Sequence, residues 1–211
     1  MPEPGRIPEP TLLRLSGYLR CLRRMAKEGL RTVSSAGMER RCGVAAVQIR
    51  KDLSYFGEFG RAGVGYEVQH LLARLTEIMH LDRQHRVVIV GAGNLGSALA
   101  GYSGFVLSPF RVVGIFDSSL AKIGRRLWNL EILDVNQMPE ANQELQATIG
   151  MLAVPADTAQ EAADLLVRSG VRAILNFAPR TIEVPPGVAV RNVDLTRELE
   201  ILCFYIDRLP G

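Results

Sequence analysis

The sequence predicts an α/β fold in two parts, with a helical segment first and a parallel sheet second. About eighty residues of arginine-rich, helix-patterned sequence come first. An apolar run at 87–90 then leads into a glycine-rich loop at 91–96, and further apolar runs alternate with helical segments after it. With 211 residues, 47% of them hydrophobic, the chain can bury a core in each of two modest domains.

The first segment has the pattern of a helix-turn-helix. Thr11 is predicted to cap a helix that has leucines along one face and ends near Gly29. Ser34 and Ser35 can cap a short second helix, and the glycine within 42–44 favours a tight turn.

A third helix and a hairpin complete this domain. The helix should run from Ala45 to about Phe56, where Gly57 stops it. Residues 57–66 have spaced glycines and aromatics that suit a small β-hairpin wing with Arg61 at its tip. The order of elements predicts a winged helix-turn-helix domain.

The third helix has two distinct faces. With Ile49 taken as the core direction, Ala45, Leu53 and Phe56 fall within about 40° of it at about 100° per residue. The opposite face offers cations, a hydroxyl and a small apolar group, which suit phosphates, base edges and thymine methyls. An ordinary solvated helix surface is the alternative. The residues predicted to contact double-stranded DNA are Val47, Gln48, Arg50, Lys51, Ser54, Tyr55, Arg61 and Gly63.

The net charge of +3 is unevenly distributed along the chain. Residues 1–66 hold 12 Lys/Arg against 6 Asp/Glu, a net +6, whereas residues 67–211 hold 13 against 16, a net −3. A local basic excess suits a polyanionic partner, because each neutralised phosphate releases counterions.

The glycine-rich loop predicts a dinucleotide site. Gly91 would form the tight turn, Gly93 would let the backbone approach a pyrophosphate, and Gly96 would let the next helix pack closely. The apolar run 112–116 ends in Asp117, which can accept the ribose hydroxyls and would repel a 2′-phosphate, so NAD is favoured over NADP. A glycine turn in a sheet without a ligand is the alternative.

The remaining segments complete a Rossmann dinucleotide-binding domain. Residues 148–154, 173–177 and 188–193 read as strands, and Ala159, Ala162, Ala163 and Leu166 share one face of a helix. Strand ends are where ligands bind in open α/β sheets. The residues predicted to contact the cofactor are Gly91, Ala92, Gly93, Asn94, Leu95, Gly96, Asp117, Lys122, Val154, Pro155, Asn176, Phe177, Ala178 and Pro179.

A last apolar-rich helix is predicted over 196–209, and little of its own chain is left to cover it. It needs a surface to cover its apolar side chains, and docking on its own sheet is one possibility. The predicted organisation is therefore 1–82, a DNA-binding domain with a linker helix containing the three histidines; 83–195, the Rossmann domain; and 196–211, the C-terminal helix.

Several classes of protein are disfavoured by composition. No run reaches about 18 apolar residues and residues 1–4 form no apolar leader, so we expect a cytoplasmic protein without membrane contact. Cys21, Cys42 and Cys203 show no C-x-x-C spacing, so buried free thiols are expected, with no zinc or other metal site.

Long motifs in both parts resemble the Rex family of bacterial redox-sensing transcriptional repressors. They are residues 48–60 and 63–66, the glycine loop with Tyr102 and Phe105, and the segments around 154–155, 159–160, 176–179 and 192–195. Gly37 in the second helix, Ala45 at the start of the third, and Ser118 after Asp117 depart from the family pattern.

The resemblance implies a repressor that binds an inverted-repeat operator as a homodimer and releases it on binding NADH, with NAD⁺ as the other regulatory ligand. It also implies that the C-terminal helix is exchanged between subunits. Arg20, Tyr102 and Asp194 match positions of a network that couples the two activities. Their alternative roles are a surface cation, a core tyrosine and a helix cap.

An enzymatic function is disfavoured by the residues available after the glycine loop. Hydride transfer usually needs a proton donor beside the nicotinamide, but all three histidines precede the loop and no Tyr-x-x-x-Lys pair follows it. We therefore expect no enzyme and no catalytic residue. An NAD-dependent oxidoreductase, or a nucleotide-binding module without DNA contact, remains the alternative.

Overall fold

The computed structural model describes residues 7–61, 63–106, 108–206 and 208. The chain divides into two compact units between Arg83 and Gln84. The boundary predicted from the sequence lies one residue earlier, after residue 82. Each unit has a hydrophobic core of its own.

Among its described residues, the first unit combines four helices with a small sheet. Its elements are α1 (Glu9–Lys27), β1 (Thr32–Val33), α2 (Ser35–Cys42), α3 (Ala46–Ser54), β2 (Gly60–Arg61), β3 (Gly65–Glu67) and α4 (Val68–Ile78). Strands β2 and β3 form an antiparallel hairpin, and β1 pairs with the other edge of β3. The predicted helix-turn-helix and wing are both present.

Of the two predicted N-caps, the one for α2 is present and the one for α1 is not. Ser34 caps α2, its hydroxyl accepting a hydrogen bond from the Gly37 amide at 3.0 Å. The prediction that Thr11 caps α1 was wrong. Pro8 occupies the cap position, and Thr11 is buried in the first turn of the helix. The Thr11 hydroxyl donates instead to Asp52.

The third helix is shorter than predicted. It spans Ala46–Ser54, with Ala45 as its N-cap and Tyr55 as its C-cap. Ile49 and Leu53 are buried as expected, but Ala45 is exposed because it lies ahead of the helix. The core against which α3 packs includes Leu15, Leu19, Leu22 and Met25 of α1.

The second unit contains a seven-stranded sheet in the order β10-β9-β8-β4-β5-β7-β6. Its elements are β4 (His85–Val90), α5 (Asn94–Ala100), β5 (Phe110–Asp117), β6 (Arg126–Leu127), β7 (Leu130–Asp134), α6 (Met138–Leu145), β8 (Ile149–Leu152), α7 (Ala159–Arg168), β9 (Ala173–Asn176), β10 (Ala189–Asn192) and α8 (Leu195–Ile206). All strand pairs are parallel except β6 with β7. This is the predicted Rossmann architecture.

The predicted apolar faces of the second unit are buried. Val87, Val88, Ile89 and Val90 of β4 are all buried in the sheet. The α7 residues predicted on one face, Ala159, Ala162, Ala163 and Leu166, are buried as well.

The C-terminal helix α8 has no buried residue. Asp207 and Leu209, at the predicted end of this helix, lie outside the described residues. Cys203 is exposed on α8, so the expectation that all three thiols are buried was wrong. It fails because the apolar side chains of α8 are exposed rather than packed against the sheet.

The linker-helix prediction holds for one histidine only. His70 lies in α4, whereas His80 follows the helix with φ +53 and His85 lies in β4. Within the described residues, no helix has the length and apolar character needed to cross a membrane. The same part of the chain contains no cluster of three or more His, Cys, Asp or Glu residues that could hold a metal.

Candidate functional site

The second unit has a cleft at the carboxyl ends of its central strands. The strand order reverses between β4 and β8, so the loops that follow these strands diverge and leave a crevice. The cleft has a volume of ≈ 650 Å³, within the usual range for ligand sites. Six of the predicted cofactor residues line it: Gly91, Gly93, Asp117, Lys122, Val154 and Pro155.

The glycine loop has the geometry that its spacing predicts. Gly91 adopts φ +100, and a Cβ there would collide with the Ala153 carbonyl oxygen. A Cβ at Gly96 would collide with the Gly91 carbonyl oxygen, so the loop and α5 can meet only with glycine at this position. No atom would lie within 4 Å of a Cβ at Gly93, which leaves the backbone open for a ligand to approach.

Asp117 lies in this cleft at the end of β5. Its carboxylate accepts hydrogen bonds from the Ala92 amide at 2.7 Å and the Ser119 amide at 2.8 Å, and pairs with Lys122 Nζ at 2.9 Å. Burial alone would raise the pKa of Asp117, but Lys122 and the two backbone donors lower it overall. The carboxylate is therefore ionised at neutral pH and ties the glycine loop to β5.

The other predicted cofactor residues lie at the edge of the glycine loop or after β9. Asn94 and Leu95 begin α5, and Ala92 is buried in the loop. The segment Asn176, Phe177, Ala178 and Pro179 follows or ends β9 and does not line the cleft.

Asn176 is buried, and its side-chain amide is hydrogen-bonded to other residues of the second unit. Its Nδ2 donates to the Arg180 carbonyl at 2.8 Å and to Asn192 Oδ1 at 2.9 Å, and its Oδ1 accepts from the Ala178 amide at 3.0 Å. Asn176 thus fixes the shape of the loop after β9.

Sequence reasoning missed the side of the cleft formed by α7. Thr158, Glu161, Leu165 and Arg168 line it, together with Asn136. The available signal was topological, since the helix that follows the strand at a switch point borders the crevice.

The predicted DNA-contacting residues lie on α3 and the wing. Val47 is 69% exposed, and Arg50, Lys51, Ser54 and Arg61 are exposed as well.

Local hydrogen bonds orient two of these side chains. Arg50 Nη1 donates to Ser35 Oγ at 3.0 Å, and the Ser54 hydroxyl donates to the Lys51 carbonyl at 2.8 Å. Gly63 adopts φ +77 in the wing, with open space around it. Gln48 and Tyr55 are half-buried.

A buried carboxylate on α3 was not predicted. Asp52 is 0% exposed and accepts five hydrogen bonds. Its Oδ1 accepts from Thr11 Oγ1 at 3.1 Å, Arg14 Nη2 at 2.7 Å and Gln48 Nε2 at 2.8 Å. Its Oδ2 accepts from Arg14 Nε at 2.6 Å and the Tyr18 hydroxyl at 2.7 Å. Asp52 lies only about 60° from Ile49 around the helix, which is the signal that could have revealed its burial.

Paired donors keep Asp52 ionised despite burial. Burial would raise its pKa, but the hydrogen bonds from Arg14, Tyr18, Gln48 and Thr11 lower it to about 2. Burial, reinforced by the bond to Asp52, raises the pKa of Tyr18. Helix α3 therefore carries a negative charge that Arg14 neutralises inside the domain.

The three predicted coupling residues occupy separate elements. Arg20 is exposed on α1. Tyr102 is 57% exposed and packs edge-on against Phe105, so it is not a core residue. Asp194 Oδ1 accepts from the Arg197 amide at 3.1 Å, as a helix cap does.

Two family models match the chain, one in each unit. Residues 6–54 match a model described as "Putative DNA-binding protein N-terminus", and residues 82–180 match a "CoA binding domain". The second description refers to a nucleotide-binding fold of the Rossmann type.

Curated relatives match the chain over nearly its whole length. The redox-sensing transcriptional repressor Rex of Carboxydothermus hydrogenoformans is 49% identical, over 96% of this chain and 98% of that protein. The redox-sensing transcriptional repressor Rex 1 of Thermotoga maritima is 46% identical, over 96% and 97%.

Solved structures agree with the curated relatives. The Rex-family repressor RSP, in complex with β-NAD⁺ and operator DNA, has a TM-score of 0.91 at 38% identity and covers 96% of this chain and 93% of its own. The same repressor with β-NADH has a TM-score of 0.86 at 36% identity, over 96% and 95%. The resemblance seen in the motifs is thereby confirmed, and the chain belongs to the Rex family of redox-sensing transcriptional repressors.

Proposed function

We propose that the chain is a transcriptional repressor that senses the ratio of NADH to NAD⁺. It binds an inverted-repeat operator when NADH is low and releases it when NADH binds. The observation that carries this proposal is the presence in one chain of a basic winged-helix unit and a Rossmann cleft containing Asp117. Support comes from RSP, whose solved structures contain operator DNA, β-NAD⁺ and β-NADH.

The cleft residues fit a dinucleotide that acts as a regulatory ligand. The open backbone at Gly93 leaves room for the pyrophosphate, and ionised Asp117 offers acceptors to the ribose hydroxyls. Lys122 orients Asp117 rather than facing a 2′-phosphate, which favours NAD over NADP. NAD(H) serves here as a signal, with no hydride transfer to a substrate. The names of the relatives agree with the prediction that the chain is not an enzyme.

Selectivity for the reduced cofactor is assigned to the loop after β9. Oxidised nicotinamide is a cation and the reduced ring is neutral, so an apolar wall disfavours the oxidised form by desolvation. Of the apolar residues predicted for this wall, Phe177 is half-buried and Pro179 is exposed, so both offer surface, whereas Ala178 is buried. Asn176 holds the shape of the loop.

The DNA-binding surface is assigned to the exposed side of α3 and to the wing. Lys51 and Arg50 would contact phosphates or guanine edges, Val47 offers a small apolar contact, and Arg61 with Gly63 would meet the backbone. Insertion of α3 into the major groove is the usual docking mode of a helix-turn-helix.

Assembly and coupling complete the proposal. Two chains form a homodimer in which residues 196–211 are exchanged between Rossmann domains (83–195), each preceded by a DNA-binding domain (1–82). NADH binding changes the spacing of the two α3 helices and so reduces their fit to the half-sites. Arg20, Tyr102 and Asp194 form the network that couples the two sites. Because operator DNA in bacteria lies in the cytoplasm, the protein acts there.

One titration tests the proposal. The purified protein is bound to an AT-rich inverted repeat at fixed salt, and NADH or NAD⁺ is then added. We expect NADH to release the DNA at concentrations at which NAD⁺ does not. Equal effects of the two cofactors would contradict redox sensing, and a protein that binds NADH but no duplex would support the nucleotide-module alternative.

Variants of α3 separate the two sites. Lys51→Ala and Arg50→Ala should each lower operator affinity by about five- to tenfold and reduce the salt slope by about one, with NADH binding unchanged. Arg126→Ala, which removes an exposed cation from the second unit, is the control. Unchanged DNA affinity and salt slope in both α3 variants would show that this face does not enter the groove.

A further inference from the structure

The buried carboxylate of Asp52 determines which end of the Gln48 amide faces outward. Gln48 Nε2 donates to Asp52 Oδ1 at 2.8 Å, four residues along the same helix. If the amide were turned over, its carbonyl oxygen would face a carboxylate oxygen and the contact would be repulsive. The negative charge of Asp52 thus fixes the orientation of the Gln48 amide.

The carbonyl oxygen Oε1 is the free end of this amide. No described residue donates a hydrogen bond to it, and no buried side-chain nitrogen or oxygen among the described residues lacks a partner. Since Oε1 has no such partner, it is not among the buried oxygens and is accessible to solvent. Gln48 is the third residue of α3, in the first turn, where recognition helices contact base edges.

The carboxylate that holds Gln48 is itself held rigidly. Arg14 binds both of its oxygens, and Tyr18 and Thr11 each add a hydrogen bond from α1. These donors neutralise the charge and fix the position of the carboxylate, so Asp52 can remain on a helix that approaches a polyanion. Side chains on which a base-reading group depends need this kind of support to hold their geometry.

We propose that Asp52 is a positioning residue that makes Gln48 Oε1 a hydrogen-bond acceptor for the exocyclic amino group of adenine or cytosine in the major groove. Among base edges in that groove, only adenine N6 and cytosine N4 present such a donor. The inference rests on the proposed DNA-binding function and extends it to base specificity at one position of each half-site.

The test begins with selection from a randomised duplex library at fixed salt. The wild-type chain should enrich adenine or cytosine at one position in each half-site, and Gln48→Ala should lose that preference while keeping the others. The selected base is then replaced by its analogue without the amino group, purine for adenine or 2-pyrimidinone for cytosine. Wild-type affinity should fall about five- to tenfold, whereas Gln48→Ala should lose less than twofold.

Asp52→Asn tests the positioning step. An asparagine can donate as well as accept, so it no longer forces the Gln48 amide into one orientation, and the penalty for the missing amino group should fall below twofold. Tyr18→Phe is the matched control, since it removes one hydrogen bond from Asp52 Oδ2 and leaves the contact of Oδ1 with Gln48. Tyr18→Phe should lower the stability of the protein but keep the full loss of affinity that follows removal of the amino group from the base.

Gln48→Glu provides a second test of the positioning step if the Asp52→Asn protein does not fold. This substitution retains an acceptor oxygen at the same distance along the chain but cannot donate to Asp52. If Asp52 positions the oxygen, the preference is lost as in Gln48→Ala.

Three results would overturn the inference: no position with a penalty that depends on Gln48, a full penalty in Asp52→Asn, or a full preference in Gln48→Glu. A wild-type chain that selects no duplex would contradict the proposed function itself, which is a different result from any of these.

Discussion

Asp117 both ties the glycine loop to β5 and offers an acceptor to a bound ribose. In this structure, its carboxylate holds the Ala92 amide of the glycine loop and the Ser119 amide, and it pairs with Lys122. A dinucleotide ribose would meet an acceptor that is already oriented by these donors. Pre-organisation of this kind lowers the entropic cost of binding.

Replacement of Asp117 by alanine should weaken NADH binding by about ten- to hundredfold, because a charged acceptor is lost and the glycine loop loses its tie to β5. Discrimination against NADPH should narrow, since the repulsion of a 2′-phosphate is lost. Calorimetric titration with both cofactors measures the two effects, with Glu140→Ala on the exposed side of α6 as the charge-matched control. Unchanged affinity for both cofactors would remove Asp117 from the site.

Asp52 should make the first unit sensitive to acid. Its folded pKa of about 2 lies below the ordinary value near 4, so its stabilising effect is present above about pH 4 and is lost as the pH falls toward 2. The loss amounts to about 2 kcal/mol. Hydrogen exchange of α1 and α3 in the full chain, corrected for intrinsic rates, should show this loss.

Two comparisons make the acid prediction specific. Asp52→Asn should be less stable than the wild type at neutral pH and should lose no further stability between about pH 4 and 2. In the wild type, hydrogen exchange of the α7 segment should not show the acid-dependent loss seen in α1 and α3. A wild-type pH profile that matches that of Asp52→Asn would exclude Asp52 as its source.

The role of a single residue could be predicted from the sequence where it depends on neighbouring residues, but not where it depends on contacts with a distant segment. Gly91 and Gly96 were correctly assigned because a tight turn and a close approach depend on a few neighbouring residues. The partners of Asp52 were missed because Thr11, Arg14 and Tyr18 come from α1, about 40 residues earlier in the chain. A helical wheel of α3 alone cannot show them.

Helix α8 is the element whose stability is least explained by its own chain. Leu195, Leu199, Leu202 and Ile206 recur at helical spacing and lie within about 60° of one another, yet all are exposed. An exposed apolar stripe of this kind indicates an interface. The sequence could predict the stripe from periodicity, but periodicity cannot identify the surface that covers it.

Leu202→Glu should therefore weaken the proposed homodimer. A carboxylate placed within an apolar interface must be desolvated or protonated, which should raise the dimer dissociation constant at least about a hundredfold. Sedimentation over a range of concentrations measures this constant. Thr196→Glu adds the same charge to α8 at about 120° from Leu202 and should leave the dimer intact. A Leu202→Glu protein that sediments like the wild type would exclude this stripe from the interface.

Element boundaries were predicted less well than element types. The start of α1 was misplaced because Pro8 can occupy a cap position without a side-chain hydrogen bond, so Thr11 was not needed there. The end of α3 was predicted two residues too late, because a glycine at 57 limits the helix but does not set its last turn. Caps depend on backbone geometry, which residue preferences describe only on average.

At the scale of the whole molecule, the uneven charge of the chain agrees with its division into two units. The net +6 of residues 1–66 lies within the first unit, whose full charge over residues 1–83 is +5, and the second unit carries a net −2. The alternation of strands and helices in the second unit predicted a Rossmann domain, whereas the order of the strands in its sheet is known only from the structure. What sequence motifs cannot supply is the free energy that couples the two sites.

The coupling between the two sites should depend on Arg20. Arg20 is exposed on α1 and forms no hydrogen bond or ion pair with another described residue, so it is available to pair across an interface. Asp194 begins the segment proposed to reach the partner subunit, and a charge pair between the two would hold only one arrangement of the dimer. Arg20→Ala should therefore change the factor by which NADH weakens DNA binding, while each single-ligand affinity stays within a few fold. Coupling energies of about 1 to 3 kcal/mol make such a change measurable in a titration of operator affinity against NADH.

Arg23→Ala, the loss of a neighbouring exposed cation on α1, provides the control for charge alone. If Arg20→Ala is released from DNA by NADH in the same way as the wild type, Arg20 is a surface cation with no part in the switch.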